Sequence, residues 1–210
     1  MIIKVLIADD HPVVRRGLRD IVANERDMTV VGEAQSGDEA LEMARKLDWD
    51  VAVLDYSMPG CSGADLVREV KRHHPERPVL VLSVLPEEVH AGQILKAGGA
   101  GYISKASANE DLTSAIRKVV SGGKYVSAAF AERLATELAE GGEKPPHNLL
   151  SDREYRVMWL IASGKQINEI AEEMSLSPST ISTYRARILR KLELSNNAAL
   201  VRYAVKYRLV

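Results

Sequence analysis

The sequence predicts an α/β domain built on a doubly wound, five-stranded parallel sheet, followed by a small all-α domain. Three observations predict it. Five short apolar runs alternate with five amphipathic segments across the first 121 residues, the pattern of a parallel sheet with helices on both faces. Those runs are nearly continuous rather than alternating, as strands buried on both faces must be. From residue 148 the chain turns basic, and its apolar residues recur at helical spacing between helix caps.

In order, residues 2–8 read as the first strand and end in Asp9-Asp10-His11. Pro12 opens a helix at the position where its missing N–H costs nothing, with Val13, Val14, Leu18, Ile21 and Val22 as its apolar face. Met28–Ala34 is the second strand, and residues 37–47 form a helix with Ala40, Leu41 and Ala44 inward. Residues 51–54 are the third strand, four apolar residues running straight into Asp55 and a Met58-Pro59-Gly60 turn. A helix over 64–73 leads to the fourth strand, Val79–Ser83. Residues 87–97 form a helix closed by Gly98-Gly99. The last strand covers 100–104 and is followed by Lys105 and a helix over 109–120.

A connector over 122–147 joins this domain (1–121) to the next (148–210). Its helix, 127–140, spaces Phe130, Leu134 and Leu138 by four, giving one apolar stripe. Gly141-Gly142-Glu143-Lys144-Pro145-Pro146 then reads as a tether. In the tail, Ser151 and Glu154 form a capping box ahead of Val157, Met158, Leu160 and Ile161. Gly164 ends that helix, and Ile167, Ile170, Ala171 and Met174 mark the next. A Ser175-Leu176-Ser177 turn and the Ser177-Pro178 cap start a third helix that runs to Leu192. A fourth follows Ser195, with Leu200 and Ala204 on one line and Val201 and Val205 on the next. A short helix, a tight turn and an Arg-rich helix make a helix-turn-helix.

Composition narrows the function. Net charge is −1, but residues 1–121 carry 15 basic against 19 acidic residues and residues 149–210 carry 10 against 6. The basic tail points to nucleic acid. No apolar run approaches the roughly 20 residues that span a bilayer, so no membrane partner is expected. The first residues lack the pattern of a signal peptide. The single Cys61 excludes an internal disulfide, which fits the cytoplasm. The five His show no metal-ligand spacing, so zinc is not expected.

The chemistry stands at the strand ends: Asp9 and Asp10, then Asp55, Ser83 and Lys105. In a doubly wound sheet the first and third strands are neighbours, and ligands gather at their carboxyl ends. Three carboxylates there repel one another unless a cation neutralises them. Hard oxygen donors with room for water and phosphate favour magnesium. Lys105 can pair with the cluster, and Ser83 offers a hydroxyl.

On the third tail helix, Ile181, Ile188 and Leu192 fall together and face the core at about 100° per residue. The opposite face carries Ser179, Ser182, Thr183, Ala186, Arg187 and Arg190, with Lys165 and Lys191 as further basic candidates. Residues 178–192 hold four basic residues and no acidic one, unlike a merely solvated helix.

With these residues in hand, residues 1–121 resemble the response-regulator receiver domain, a flavodoxin-like fold. The resemblance implies that Asp55 accepts a phosphoryl group from a sensor histidine kinase. It implies that Asp10, Asp55 and the Ser57 main-chain carbonyl hold magnesium, with Asp9 acting mainly through water. It implies that Ser83 and Lys105 contact the phosphoryl oxygens, and that the Tyr102 ring swings inward as Ser83 moves. Residues 148–210 resemble the LuxR/FixJ-type DNA-binding domain through Leu150-Ser151-Asp152-Arg153-Glu154, Gly164-Lys165, Glu169-Ile170-Ala171, Thr180-Ile181 and Lys191-Leu192. Together they resemble the NarL/FixJ-type two-component regulators. That implies a cytoplasmic, phosphorylation-activated, dimeric binder of double-stranded DNA that is not an enzyme, with RNA polymerase as a further candidate partner. Ser182, Tyr184 and Ala186 depart from the longer polar residues common on that family's recognition helix.

Two other readings stand beside this one: a DNA-binding regulator independent of phosphorylation, and a magnesium-dependent phosphotransfer enzyme. The intact acidic set with Lys105 argues against the first. Ser57, where an aspartyl-nucleophile phosphatase would carry a second carboxylate, argues against the second.

Overall fold

A computed structural model describes residues 2–84, 87–140, 145–174, 176–207 and 209–210. The chain divides into two compact units, Met1–Ala139 and Glu140–Val210. In the first, β1 (Ile3–Ala8), β2 (Met28–Ala34), β3 (Val51–Asp55), β4 (Val79–Ser83) and β5 (Gly101–Ser104) alternate with α1 (Pro12–Ala23), α2 (Gly37–Lys46), α3 (Gly63–His73), α4 (Glu87–Lys96) and α5 (Ala108–Val120). A further helix, α6 (Ala128–Glu140), follows. Every strand pairs in parallel, in the order β2-β1-β3-β4-β5. The doubly wound sheet expected from the sequence is the one present.

Continuous apolar sequence becomes continuous burial. All five residues of β3 and all five of β4 are buried. One face of the sheet packs Val5, Ile7, Val53, Leu80 and Leu82 against Leu18 and Val22 of α1 and Leu112, Ile116 and Val119 of α5. Element ends agree with the sequence reading to within a residue. Val13 does not agree: it is 85% exposed. It lies about 140° around α1 from Leu18, while Val14, Leu18, Ile21 and Val22 share the inner face. The outer edge of β5 is covered at its start by Tyr125. Tyr102 N–H donates to the Tyr125 carbonyl at 2.9 Å, and Tyr125 N–H donates to the Ala100 carbonyl at 2.9 Å.

The second unit holds a 3-10 turn, Pro146–Leu149, then α7 (Asp152–Ala162), α8 (Ile167–Glu173), α9 (Pro178–Lys191) and α10 (Asn197–Lys206). Ser151 and Glu154 form the capping box, and Ser177 caps α9 by accepting from the Thr180 amide. Val157, Met158, Leu160, Ile170, Ile181, Ile188, Leu200 and Ala204 make the core. Residues 141–144 of the tether, Ser175 of the α8–α9 turn and the Leu138 side chain of the connector stripe lie outside the described residues, while Pro145 and Pro146, read as tether, enter the 3-10 turn. The rest of that stripe starts as expected, with Phe130 buried. No helix among the described residues is long and apolar enough to cross a membrane.

Candidate functional site

The winding of the sheet reverses between β1 and β3, which lie side by side with Ala8 opposite Leu54. Each therefore delivers the next residues to the same place: Asp9 and Asp10 from β1, Asp55 from β3. Ligand atoms of Asp9, Asp10, His11 and Asp55 all lie within 4.8 Å of one another. Asp9 and Asp55 are buried, and the Asp10 side chain is partly open to solvent. Lys105 supplies the counter-charge, with Nζ 2.7 Å from Asp9 and 3.0 Å from Asp55. The β4–β5 register aligns Ser83 with Ser104, and Lys105 N–H then donates to the Ser83 carbonyl at 2.8 Å. The lysine and the serine are thus held beside the cluster by one ladder.

Burial pushes the Asp55 carboxyl up to about 6, and Asp9 adds to the rise against the pull of Lys105 and of the Ser57 amide. Two buried carboxylates close to one ammonium are incompletely neutralised, and the donor set is hard oxygen. Such a set fits a small divalent cation. A cation there would favour ionised Asp55 and make it an available nucleophile. Ser83 and Tyr102 are both buried, at about 1% exposure, so the Tyr102 ring lies inside. Ser57 stands partly exposed in the loop that leaves Asp55.

His11 also reaches the cluster: its Nδ1 lies 2.6 Å from Asp10 and 3.4 Å from Asp9. Its backbone N–H also donates to Asp9 at 2.8 Å. Among the described residues it is the one histidine in a metal-capable group. The sequence signal for it is adjacency to the Asp pair, at the N-cap of α1. His90 is a second histidine of note, outside the acidic group. It is fully buried in α4, its ring 4.5 Å from that of Tyr56.

On α9, all six face residues named from sequence are exposed: Ser179, Ser182, Thr183, Ala186, Arg187 and Arg190. Thr183 donates its hydroxyl to the Ser179 carbonyl at 3.0 Å. Lys165 is exposed but paired with Glu173. Lys191 is turned aside: its Nζ donates to buried Glu154 at 2.6 Å and to the Leu149 carbonyl at 3.1 Å. Arg185 donates to Asn197 of α10. Of the basic residues on α9, Arg187 and Arg190 remain on the open face.

Comparison with known proteins matches residues 5–117 to the response regulator receiver domain and residues 148–204 to the luxR family of bacterial regulatory proteins. The chain belongs to the response regulators. It is a two-component regulator with a LuxR-type DNA-binding domain, in a family of transcription factors rather than enzymes. The response regulator GacA of Pseudomonas syringae pv. syringae is 37% identical over 209 residues, covering 99% of this chain and 98% of GacA. RcsB of Salmonella enterica serovar Typhimurium, solved on promoter P1flhDC in the presence of the phosphomimetic BeF3-, is 31% identical with a TM-score of 0.60, covering 96% and 97% of the two chains. A structure of two RcsB dimers on two parallel DNAs has 30% identity and a TM-score of 0.60, covering 98% of each chain.

Proposed function

We propose that Asp55 is the phosphoryl acceptor of this response regulator, and that Asp10, Asp55 and the Ser57 carbonyl hold magnesium, with Asp9 acting mainly through water. The observation that carries the proposal is Lys105, placed 3.0 Å from Asp55 and 2.7 Å from Asp9. Of the three carboxylates, Asp55 alone closes the central strand β3, and it shares Lys105 with Asp9.

An Asp55 oxygen attacks the phosphorus of a histidine kinase's phosphoimidazole as the P–N bond breaks and the imidazole leaves. Magnesium, when bound, supplies positive charge to the transferring oxygens. Lys105 holds the phosphoryl group from the other side, and the Ser83 hydroxyl donates to it. Phosphorylation adds charge and acceptor oxygens, which draw the Ser83 hydroxyl to the phosphoryl group and hold the Tyr102 ring in the inward position it already takes.

The output is binding of double-stranded DNA by α9, with the protein dimeric and in the cytoplasm. RNA polymerase is a further candidate partner. The RcsB structures, with dimers, promoter DNA and a phosphomimetic, support this reading by likeness. On this chain it rests on the open face of α9 and on Arg187 and Arg190. Ser179, Ser182, Thr183 and Ala186 face the groove, and Lys165 lies at its margin. The contribution of Lys191 is indirect, through Glu154.

Acetyl phosphate with magnesium is expected to label Asp55 and to increase affinity for a two-half-site DNA. Asp55→Asn should lose the label. Full labelling of Asp55→Asn would assign the acceptor elsewhere, and labelling with no change in DNA binding would detach the two domains functionally.

A further inference from the structure

For the Ser57 carbonyl to serve as the metal ligand proposed above, the loop after Asp55 must return it to the acidic cluster, although Pro59 and Gly60 stand exposed in solvent. Within the loop, Gly63 N–H closes onto the Tyr56 carbonyl at 2.9 Å, and Met58 is buried. Its outer turn is held by a different element, the first turn of α2. Gly37 N–H donates to the Pro59 carbonyl at 3.0 Å. Asp38 accepts from Cys61 N–H at 3.4 Å, and its carboxylate lies against Gly60, which takes a φ of +78°.

The approach of the two segments is closer than any side chain permits. A Cβ on Gly37 would stand 1.6 Å from the Cys61 carbonyl oxygen. That atom is backbone, so the loop itself would have to move. The start of α2 does not need this glycine. Ser36 already caps the helix through the Glu39 amide at 3.2 Å, Gly37 takes no left-handed φ, and alanine is the better helix former.

We infer that Gly37, assisted by Asp38, is a positioning residue for phosphoryl transfer: the α2 start clasps the Pro59–Cys61 turn and so sets where the Ser57 carbonyl meets the metal. The inference rests on the assignment of Asp55 and Ser57 proposed above. Gly37 touches neither phosphoryl group nor metal. It acts through the loop, as outer partners of metal ligands do.

The test uses the full chain, with magnesium titrated by calorimetry and Asp55 labelling by acetyl phosphate followed across magnesium concentration. Gly37→Ala should raise the magnesium dissociation constant about tenfold, the lower end for such outer partners. Its labelling rate at saturating magnesium should stay within about twofold of wild type, the pattern of lost binding rather than lost chemistry. Asp38→Ala should shift the same constant in the same direction by less. Asp38→Asn keeps the acceptor for Cys61 N–H while removing the charge, and should restore wild-type affinity.

Unchanged magnesium binding in Gly37→Ala or Asp38→Ala would overturn the clasp. So would an Asp38→Asn as weak as Asp38→Ala, because the effect would then be charge alone. If Gly37→Ala does not fold, the Asp38 pair decides. A wild-type chain that binds no magnesium and takes no label would remove the underlying assignment, and the clasp with it.

Discussion

His90 carries the largest consequence at the scale of single residues outside the acidic cluster. It is enclosed in α4 against Tyr56, and burial holds its imidazole down at about 3. An unfolded histidine titrates near 6.5. The folded pKa is the depressed one, so the unfolded chain takes up the proton first as pH falls. The stabilisation is complete above pH 6.5 and is lost progressively as pH drops from there toward 3, at up to about 1.4 kcal/mol per pH unit. His90→Phe should flatten the acid limb of urea stability between pH 6.5 and 4.5. Parallel limbs for the two proteins would refute it. Neither His90 nor the His11–Asp10 contact was legible in the sequence, because each depends on which helix face meets which strand end. Asp9, Asp10, Asp55, Ser83 and Lys105 were legible for the opposite reason. Each directly follows or closes an apolar run, and a parallel sheet brings all such positions to one edge.

At the scale of elements, α9 separates basic residues that the sequence could only group. Burial pushes the Glu154 carboxyl up, but hydrogen bonds from Lys191 and Ser151 outweigh it and leave the group below its usual range. Lys191 therefore holds α9 to the start of α7. Lys191→Ala should destabilise the helical unit by about 1–3 kcal/mol, since it leaves a buried acceptor short of a partner. Thermal melts of the full chain would detect it. Arg190→Ala should leave that transition alone, weaken specific and random DNA alike, and reduce the salt slope by about one. A Lys191 variant with wild-type stability and a reduced salt slope would return Lys191 to the DNA face. Thr183 spends its proton on the Ser179 carbonyl, so toward a base it acts only as an acceptor. Thr183→Ala should then cost less than the roughly 1–3 kcal/mol of a good bidentate contact. With short residues along this face, specificity falls to half-site spacing and DNA shape.

At the scale of the whole molecule, α10 bears on assembly. Leu200 and Ala204 are buried in the unit's own core, while Val205 is 60% exposed. The sequence sets two apolar lines on this helix, and the core buries the line of Leu200 and Ala204. The unused line suits a second copy across a twofold axis, with half-sites about one helical turn apart. Val205→Asp should leave the melting temperature nearly unchanged and prevent paired occupancy of a two-half-site fragment, read by mobility shift or light scattering. Full paired occupancy by that variant would move the dimer contact to another surface.

The cover over β5 also decides where this protein can be cut. Tyr125 comes after α5, in a stretch that reads from sequence as connector, yet its backbone takes two hydrogen-bonding positions on the outer edge of β5. A fragment ending at residue 121 keeps every strand and loses that cover. Its bare Ala100 carbonyl and Tyr102 amide would be free to recruit a stranger's strand. Such a fragment should self-associate with rising concentration in analytical ultracentrifugation, whereas one ending at residue 139 should sediment as a single species.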